Sequence, residues 1–384
     1  MSAPTYTYMV HDLMSNAPLG ELPLTGVRYG KRLNVSSGAQ GQFVVEPRQA
    51  ARRMVANPYD LTMPARRCLY IYRDEVPQWG GIIWTRRYDS SNGTVQIGCG
   101  DWWSYFDHRK VLPVLAPPIA VNYEVAELEV AYPGSTDLNA IARGLVALAQ
   151  THTGGDLGVL GDGTLSSDPA ARTYRGYELV DVGEALRQLA GVIDGPDMMF
   201  DVDKTLDANG RPVRRFRQGT PRLGQAGSAW VWEYGSNLSG YVWPSDGSRY
   251  ASRVLATGEG TAYGTPIAVA EDTSRYALGY PLMERESGFS TVSDTAVLQS
   301  HADAEQAASR LPVVLPQIEV RGDMSPMVGE WGMGDDAQIQ IEDDFFPAGV
   351  DTLMRIVGAD ITPPDGSNAE RVVLTMSPLL DDVA

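Results

Sequence analysis

Apolar and polar residues alternate with a period of two at both ends of the chain, which predicts β-strands there. The alternation is clearest over residues 66–109, where three strand-like stretches are separated by turn signals at 74–77 and 91–93. The same period returns past Pro316 and continues into the last predicted strand. The sequence therefore predicts a β-rich unit at each end, and the first unit contains a compact antiparallel meander.

The period changes to that of a helix in the middle of the chain. Asp137 precedes one apolar helical stripe as its predicted N-cap, and Asp181 with Glu184 forms the capping-box pattern of a second helix. A third helix is predicted over 293–311, and residues 198–216 alternate as a β-hairpin. The middle of the chain therefore combines helices with strands.

These changes of period predict an α+β, β-rich chain that is organised in four parts. A short helix is also predicted at 47–56, with Pro47 at its first position. The parts are a first β domain over 1–112, an α+β insertion over 113–228, a mixed strand and helix domain over 229–316, and a second β domain over 317–384 with contributions from 229–260.

The composition indicates a globular protein with more than one domain. A chain of 384 residues is longer than one hydrophobic core usually organises, and 43% hydrophobic with 21% charged residues is ordinary for folded domains. No stretch approaches the roughly 18 consecutive apolar residues that a membrane span needs, and the N-terminus lacks a signal-peptide pattern. We therefore expect a soluble protein without a membrane span, made in a cytoplasm.

The net charge of -17 makes general nucleic-acid binding improbable, because affinity for phosphate comes from lysine and arginine. The charge is also unevenly distributed. Residues 28–110 contain 13 basic and 7 acidic side chains, whereas residues 321–384 contain 3 basic and 13 acidic ones. Such an asymmetry is informative about surfaces and partners, although solvated faces and genomic bias explain it equally well.

Cys68 and Cys99 are the only cysteines, and both lie in strand-like stretches of the meander. A disulfide between them is geometrically conceivable. Two buried free thiols are favoured, because a chain without an export signal stays in a reducing compartment.

No constellation of residues indicates catalysis. The histidines are widely separated, and neither a zinc motif nor a G-x-S-x-G nucleophile elbow occurs. The run from Asp201 to Asn209 superficially suggests a calcium loop, but Leu206 and Pro212 stand where an EF-hand needs glycine and glutamate. We therefore expect no enzyme, no catalytic residue, no cofactor and no metal.

Two aromatic clusters allow two interpretations each. Residues 102–106 (WWSYF) could stack on sugars or bases, but a buried hydrophobic corner beside the meander is favoured. Phe345 and Phe346 beside the acidic stretch are similarly expected to be core, and an exposed loop there would instead be a partner anchor.

The order of these elements resembles the baseplate-hub or minor tail proteins of long-tailed phages, especially those of actinobacterial hosts. Such proteins form the N-terminal structural part of many tail-associated lysins. The resemblance is carried by residues 76–88 (VPQWGGIIWTRRY) and 100–106 (GDWWSYF), and it continues in 253–260, in the helix after Ser293, and in strands around 334–337 and 354–358.

The resemblance implies a homotrimer in which two tube-type β-barrel domains per subunit form a pseudo-six-fold ring, with smaller α+β domains outside. Such a ring continues and closes the tail tube at the virion tail tip and lets DNA pass on ejection without binding it specifically. Its implied partners are a distal tail protein or the tail-tube hexamer, the tape-measure protein, and tail fibres or other tip proteins. Relatives with a lysin extension continue beyond the length of this chain, so a built-in lysin activity is not expected.

The charge asymmetry then predicts two sets of site residues. An acidic channel lining would repel DNA phosphate, and basic residues of the first unit would contact acidic neighbours across subunits. The predicted channel-lining residues are Glu342, Asp343 and Asp344, and the predicted subunit-contact residues are Arg66, Arg67, Arg86 and Arg87.

Other functions stay open at the level of sequence. A receptor-binding or cell-wall-carbohydrate-binding tail protein would use Trp102, Trp103 or Trp243. A cell-wall hydrolase is a third interpretation, although no nucleophile or metal set supports it. A related injection machine, such as a contractile particle or a secretion spike, uses a similar hub.

Overall fold

In a computed structural model of the protein, the structure is described for residues 3–46, 55–115, 125–163, 169–191, 195–219, 222–227, 230–260, 263–289, 295–309, 314–366 and 368–379. The strands are β1 (Tyr6–Asp12), β2 (Pro18–Glu21), β3 (Thr25–Arg32), β4 (Gly38–Val44), β5 (Arg67–Arg73), β6 (Val76–Asp89), β7 (Thr94–Asp101), β8 (Glu129–Asp137), β9 (Val159–Gly163), β10 (Pro169–Arg175), β11 (Asp197–Leu206), β12 (Pro212–Gly219), β13 (Trp230–Glu233), β14 (Leu238–Val242), β15 (Arg253–Thr257), β16 (Ile267–Glu271), β17 (Glu284–Gly288), β18 (Gln317–Arg321), β19 (Asp336–Ile341), β20 (Val350–Thr362) and β21 (Arg371–Pro378). The helices are α1 (Pro58–Leu61), α2 (Trp103–Phe106), α3 (Leu138–Thr151), α4 (Val182–Ala190) and α5 (Thr295–Ser309), with 3-10 turns at Val125–Glu127, Gly176–Glu178 and Thr273–Leu278.

The meander predicted from residues 66–109 is present as the antiparallel strands β5, β6 and β7. One detail of the prediction was wrong: the turn between β5 and β6 consists of Asp74 and Glu75 alone, both with positive φ. Pro77 lies inside β6, opposite Tyr72, where the register shifts by one residue. A register shift is one of the few places where a strand tolerates a residue without an N–H donor.

The predicted helices of the middle of the chain are present, but one predicted cap is not. Asp137 caps α3 by accepting a hydrogen bond from the backbone N–H of Ala140 at 2.9 Å. Asp181 makes no such bond at the start of α4, because its carboxylate pairs instead with Lys110 at 2.7 Å. The third predicted helix is α5, and the helix predicted at 47–56 falls mostly on residues 47–54, outside the described residues.

The two ends of the chain meet in one 13-stranded sheet. Its strands follow the order β14-β18-β21-β20-β3-β4-β7-β6-β5-β1-β2, while β19 pairs with β20 and β13 with β19. The N-terminal and C-terminal parts join where β20 runs antiparallel to β3, from Gly358 opposite Arg32 to Ile361 opposite Tyr29. The fold class is β-rich with few helices, as predicted, and in the described residues this strand path is open at both ends.

A second contact between the two ends is made by a buried carboxylate. Glu370 accepts hydrogen bonds from the Tyr6 hydroxyl at 2.5 Å and from Arg73 Nε at 2.9 Å. Tyr6 lies in β1 and Arg73 ends β5, whereas Glu370 directly precedes β21. A charge-assisted bond away from water is stronger than a surface one, so this cluster fastens the C-terminal strands to the N-terminal ones.

The α+β insertion packs its helices and its own sheet on the meander. The strands β11, β12 and β9 form a three-stranded sheet, and β8 pairs with β10. Phe106 of α2 stacks on Phe200 of β11 at a ring-centroid distance of 4.9 Å, and Phe200 contacts Phe216 of β12 at 4.8 Å. The insertion and the meander therefore share one hydrophobic core, which also takes in α3 and α4.

The contacts divide the chain into two compact units, one over 1–241 with 318–384 and one over 242–317. The second unit is a sheet of the order β16-β15-β17 with α5 across one face. Its small core consists of Ala256, Ala268, Ala270, Leu298 and Ala302. The four-part division of the chain stays a prediction. Among the described helices, none combines the length and the apolarity that a bilayer crossing requires.

Both cysteines are buried free thiols, which confirms the favoured interpretation. Cys68 lies opposite Ile82, which lies opposite Gly100, whereas Cys99 lies opposite Ile83. Successive residues of a strand face opposite sides of a sheet, so the two thiols project from opposite faces. Burial raises the pKa of the Cys68 thiol to about 11, so it stays protonated at neutral pH.

Candidate interaction surfaces

The carboxylates of the β11–β12 hairpin are paired with cations of the chain itself. Asp201 lies 3.2 Å from Lys31 Nζ, and Asp203 lies 2.8 Å from Arg215 Nε. Within the described part of the chain, no group of three or more metal-binding side chains is assembled. The predicted hairpin is present, because β11 pairs with β12 in antiparallel register, and its aspartates form ion pairs within the chain.

The tryptophans of residues 102–106 are buried in the shared core. Trp102 and Trp103 are both 0% exposed, and α2 packs them against the insertion. They are thus unavailable to a sugar or a base, and the hydrophobic-corner interpretation is confirmed. Trp243, the third tryptophan considered for carbohydrate binding, is half-buried.

A buried arginine that the sequence analysis did not single out fastens the insertion to the meander. Arg214 is 2% exposed, and no carboxylate of the described residues lies within salt-bridge distance of it. Its Nη1 donates to the carbonyl oxygens of Leu13 at 2.9 Å and Leu157 at 2.5 Å, and its Nε donates to the Tyr70 hydroxyl at 2.8 Å. The guanidinium also lies 4.5 Å from the centre of the Trp102 ring. One side chain therefore connects β12, the meander and the loop after α3.

A buried carboxylate directly precedes the aromatic cluster of residues 102–106. Asp101 is 4% exposed and accepts hydrogen bonds from the Ser37 backbone N–H at 2.7 Å and from the Trp103 backbone N–H at 3.1 Å. The Ser36 and Ser37 hydroxyls donate to it as well. Burial raises the pKa of Asp101 from 3.8 to about 6, because four neutral donors only partly replace lost hydration.

This shift predicts a pH dependence of stability that opposes the usual behaviour of carboxylates. Because the folded state holds the proton of Asp101 more tightly than the unfolded state, the contribution of this residue is largest at low pH and decreases as the pH rises towards 6. The free energy of unfolding of the wild type minus that of Asp101→Asn should be about 2 kcal/mol larger at pH 4 than at pH 7. Urea denaturation of both proteins across this range measures the difference, and a flat or inverted difference would refute the assignment.

The acidic residues of the second β domain lie in a turn rather than along a strand. Glu342 and Asp344 are exposed in the connection between β19 and β20. Asp343 holds the turn together by accepting hydrogen bonds from the backbone N–H groups of Phe345 and Phe346, each at 2.9 Å. The Tyr241 hydroxyl donates to the same carboxylate at 2.5 Å, which lowers the pKa of Asp343 below its usual value. We call residues 342–347 the acidic turn.

The four predicted contact arginines separate into different environments. Arg66 and Arg87 are exposed, and Arg86 is half-buried. The Arg86 guanidinium lies 4.2 Å from the centre of the Tyr59 ring and donates to the Tyr59 carbonyl oxygen at 2.5 Å. Arg86 thus adjoins an aromatic surface near the tip of the β6–β7 hairpin, whereas Arg87, the next residue of the strand, projects from the opposite face.

Arg67 does not fit the predicted role in subunit contact. Its side chain is 5% exposed, and it pairs with Asp12 at 2.7 Å and with Asp60 at 2.9 Å within the same chain. Arg67 is therefore occupied in fastening α1 to the meander. Strand phase does not mark this burial, because both phases of β5 are buried from Arg67 to Ile71.

The open face of the large sheet is polar. Gln42 of β4 lies opposite Gln96 of β7, which lies opposite Arg87 of β6, and all three are exposed. Further along the same face, Asp360 of β20 pairs with Arg28 at 3.4 Å, and also with Arg32. Neutral amides thus cover a face that crosses the junction of β3 and β20, and Arg28, Arg32 and Arg87 outnumber the one carboxylate, Asp360, among these side chains.

The fold is similar to that of phage tail proteins of known structure. No family model matches the sequence, and no curated protein matches it. The 43 kDa tail protein of prophage MuSo2 from Shewanella oneidensis superposes with a TM-score of 0.62 at 12% identity, covering 98% of this chain and 99% of that one. A tail protein from Neisseria meningitidis MC58 gives a TM-score of 0.57 at 14% identity, over 97% and 96% of the two chains. Prophage tail protein gp18 from Listeria monocytogenes EGD-e gives 0.53 at 12%, over 96% and 94%.

The similarity extends over nearly the full length of this chain and of each of the three tail proteins. The whole arrangement of elements is therefore shared, and not one domain alone. At such low identity the likeness establishes the fold alone. The expectation of a tail-protein fold, drawn from residues of the meander, is thereby confirmed at the level of structure. The association with actinobacterial phages and with lysins stays a prediction.

Proposed function

We propose that the protein is a structural component of a phage tail, and that three copies form a ring that continues and closes the tail tube at its tip. The observation that carries this proposal is the single sheet in which the N-terminal and C-terminal strands pair through β3 and β20. The full-length likeness to three tail proteins supports it.

The joined sheet suits a role in a tube wall. In the proposed ring, each subunit contributes two tube-type barrel domains, which are built from its N-terminal and C-terminal strands. The polar face around Gln42, Gln96 and Asp360 then borders the channel, because amides and ion pairs remain hydrated at a water-filled surface. Partners of the ring are the tail tube or a distal tail protein on one side, and the tape-measure protein and tail fibres or other tip proteins.

Two alternative roles in such a ring are consistent with the acidic turn. Carboxylates of Glu342, Asp343 and Asp344 directed into the channel would repel the DNA that passes. Carboxylates directed at a neighbouring subunit would instead stabilise the ring. Because the turn lies at the end of a strand pair, both roles place it at the margin of the wall.

The proposed role does not involve catalysis. The sequence contains no catalytic motif, and Asp203 and Asp336 form ion pairs with Arg215 and Arg222 of the same chain. We accordingly expect the protein to be a virion component assembled in the host cytoplasm, without an activity on the cell wall. A zymogram with host cell walls that shows clearing would contradict this expectation.

The ring itself can be tested with the purified protein. Light scattering coupled to size exclusion should give a mass three times that of the 41.7 kDa chain. Electron microscopy of the particle tip should then show three copies around the channel. A monomer at all concentrations, or a position of the chain away from the tail axis, would refute the proposal.

A further inference from the structure

We propose that the contact between the insertion and the strands β1 and β5 is a proton-sensitive joint, which opens in mild acid when the His11 ring becomes charged. His11 lies in β1, directly opposite Cys68 of β5. The joint is the contact that His11, Asn16, Cys68 and Tyr70 form with Arg214 of β12. It belongs to a single subunit, so the inference does not depend on the proposed ring.

The side chain of Asn16 connects the two sides of the joint. Asn16 lies between β1 and β2 with a φ of 53°, a left-handed conformation that asparagine adopts more readily than most residues. Its Oδ1 accepts hydrogen bonds from the Tyr70 hydroxyl at 2.8 Å and from Arg214 Nη2 at 3.2 Å. Its Nδ2 donates to the carbonyl oxygen of Pro212 at 2.9 Å. Pro212 and Arg214 both belong to β12, so a single amide fastens the insertion to the large sheet.

His11 holds the backbone of Asn16 in position. Its Nδ1 lies 3.1 Å from the Asn16 carbonyl oxygen, and since a carbonyl oxygen only accepts, Nδ1 donates in this bond. The His11 ring also packs edge-on against the Tyr70 ring, with the ring centres 4.8 Å apart. His11 is 2% exposed. A further proton must go to Nε2, and it converts a buried neutral ring into a buried cation.

The charges that the insertion presents to His11 are positive. Arg214 donates to the Asn16 side chain, and Arg211 donates to the Ser15 carbonyl oxygen at 3.1 Å. Burial lowers the pKa of His11 below its usual 6.5, and the two guanidinium groups lower it further, although the bond to Asn16 acts in the opposite direction. The closed joint therefore favours the neutral ring.

The side chains of β5 that face His11 stay neutral in acid. Cys68 lies directly opposite, and Tyr70 is two residues further along the strand. Burial raises the pKa of the Cys68 thiol to about 11, and it raises the pKa of the Tyr70 hydroxyl as well. Neither group gains or loses a proton between pH 7 and pH 5, so His11 is the member of the joint that titrates in this range.

The neighbouring carboxylates do not compensate a charged His11. Asp12, the next residue of β1, projects from the opposite face of the sheet, where it pairs with Arg67 at 2.7 Å. Glu21 of β2 lies opposite the residue two positions before His11, and it is exposed to solvent, which screens its charge. A proton on His11 is thus added to a joint that already holds the buried charge of Arg214.

Acid opens the joint because the open form binds the proton of His11 more tightly than the closed form. The contribution of His11 to the closed joint is complete above pH 6.5 and is lost as the pH falls below that value. Each pH unit below 6.5 raises the opening constant by up to about tenfold, until the closed joint is protonated as well. Asp101 has the opposite pH dependence in the same range, so the measurement must separate the two residues.

Cys68 reports on the joint, because its Sγ accepts a hydrogen bond from Arg214 Nη2 at 3.5 Å and is buried while the joint is closed. The rate at which a pyridyl disulfide labels Cys68 therefore measures opening. The experiment compares Cys99→Ala with Cys99→Ala/His11→Asn, so that one thiol remains in each full-length protein. The asparagine amide can still donate to the Asn16 carbonyl oxygen, but it cannot become charged.

The ratio of the two labelling rates isolates His11. The thiolate fraction of Cys68 and the contribution of Asp101 are the same in both proteins and cancel. The rate with histidine divided by the rate with asparagine should be constant above pH 7 and should rise about tenfold between pH 7 and pH 5. His108→Asn is the matched control, because His108 also bonds a backbone carbonyl through Nδ1 but is exposed. It should leave the pH profile of Cys68 labelling unchanged.

The outcomes distinguish a joint from general unfolding. A ratio that stays flat from pH 7 to pH 5 overturns the inference. Cys99 projects from the opposite face of the sheet, so in a Cys68→Ala protein its labelling should show no rise that depends on His11. An equal rise at Cys99 means that acid unfolds the whole unit, and the joint is then overturned as well.

The test does not require the His11 variant to fold. If His11→Asn is unfolded at pH 7.5, both thiols of the wild type are labelled together and resolved by peptide mapping. Labelling of Cys68 should then rise about tenfold relative to Cys99 between pH 7 and pH 5, and a constant ratio overturns the inference. Light scattering of the same samples reports on the ring separately, so a monomeric wild type overturns the ring and leaves this test intact.

Discussion

Replacing Arg214 by methionine should destabilise the first unit by about 3–5 kcal/mol. The change removes the donor for the carbonyl oxygens of Leu13 and Leu157, which then remain buried without it. The Tyr70 hydroxyl loses the same donor but keeps its own hydrogen bond to Asn16 Oδ1. Replacing a buried ion pair by apolar side chains is sometimes favourable. Arg214 is a different case, because its partners are backbone and hydroxyl groups that stay behind when the cation is removed.

The neighbouring Arg215 offers a matched control for this experiment. Its side chain is 27% exposed and pairs with Asp203, so Arg215→Met should cost about 1 kcal/mol or less. Urea unfolding followed by tryptophan fluorescence is a suitable measurement, because Trp102 lies against the Arg214 guanidinium. Equal shifts of the unfolding midpoint in the two variants would show that Arg214 does not have the structural role assigned to it.

A single methyl group at position 81 should be comparably damaging. Gly81 lies in β6, and a Cβ atom there would lie 2.2 Å from the carbonyl oxygen of Gly100 and 2.5 Å from the Trp79 ring. The nearest obstacle is backbone of the paired strand β7, so it cannot rotate away. We expect Gly81→Ala to destabilise the protein by about 3 kcal/mol or more, because the two strands must separate.

Gly20→Ala is the control for this substitution. Gly20 also lies in a strand, but its added Cβ would meet the Leu61 side chain at an ordinary 3.6 Å. Its effect should remain within about 0.5 kcal/mol. Thermal unfolding and the soluble fraction after expression measure both variants. A G81A protein as stable as G20A would indicate that β6 and β7 are not paired as described.

The sequence predicted those elements whose burial is decided locally. The meander, the hairpin of β11 and β12, and the helix behind Asp137 all have periods that report which face is buried. The N-cap hydrogen bond predicted for Asp181 is absent, which shows where prediction from local pattern fails. Its carboxylate had a competing partner, Lys110, that lies 71 positions away in sequence, and no local pattern reports such a partner.

The candidate interface was only partly predictable for a similar reason. Counting charges identified the acidic turn and the arginines. It did not show that Arg67 forms ion pairs with Asp12 and Asp60 of its own chain. Strand phase held such information for Arg214, which has the phase of the buried Phe216, but not for Arg67, because both phases of β5 are buried there. Charge and strand phase must therefore be considered together, because Arg214, in the buried phase of β12, binds groups of its own chain and is not available to a partner.

The pairing of β3 with β20 has a consequence for how the chain folds as it is synthesised. The edge of β3 is complete only when residues near Gly358 have left the ribosome, more than 300 residues after Arg32. At about 5–20 residues per second this delay lasts on the order of tens of seconds. During that interval β3 presents an unpaired strand edge, to which strands of other nascent chains can bind. The nascent protein therefore needs either a chaperone or low local concentration until its last strands close the sheet.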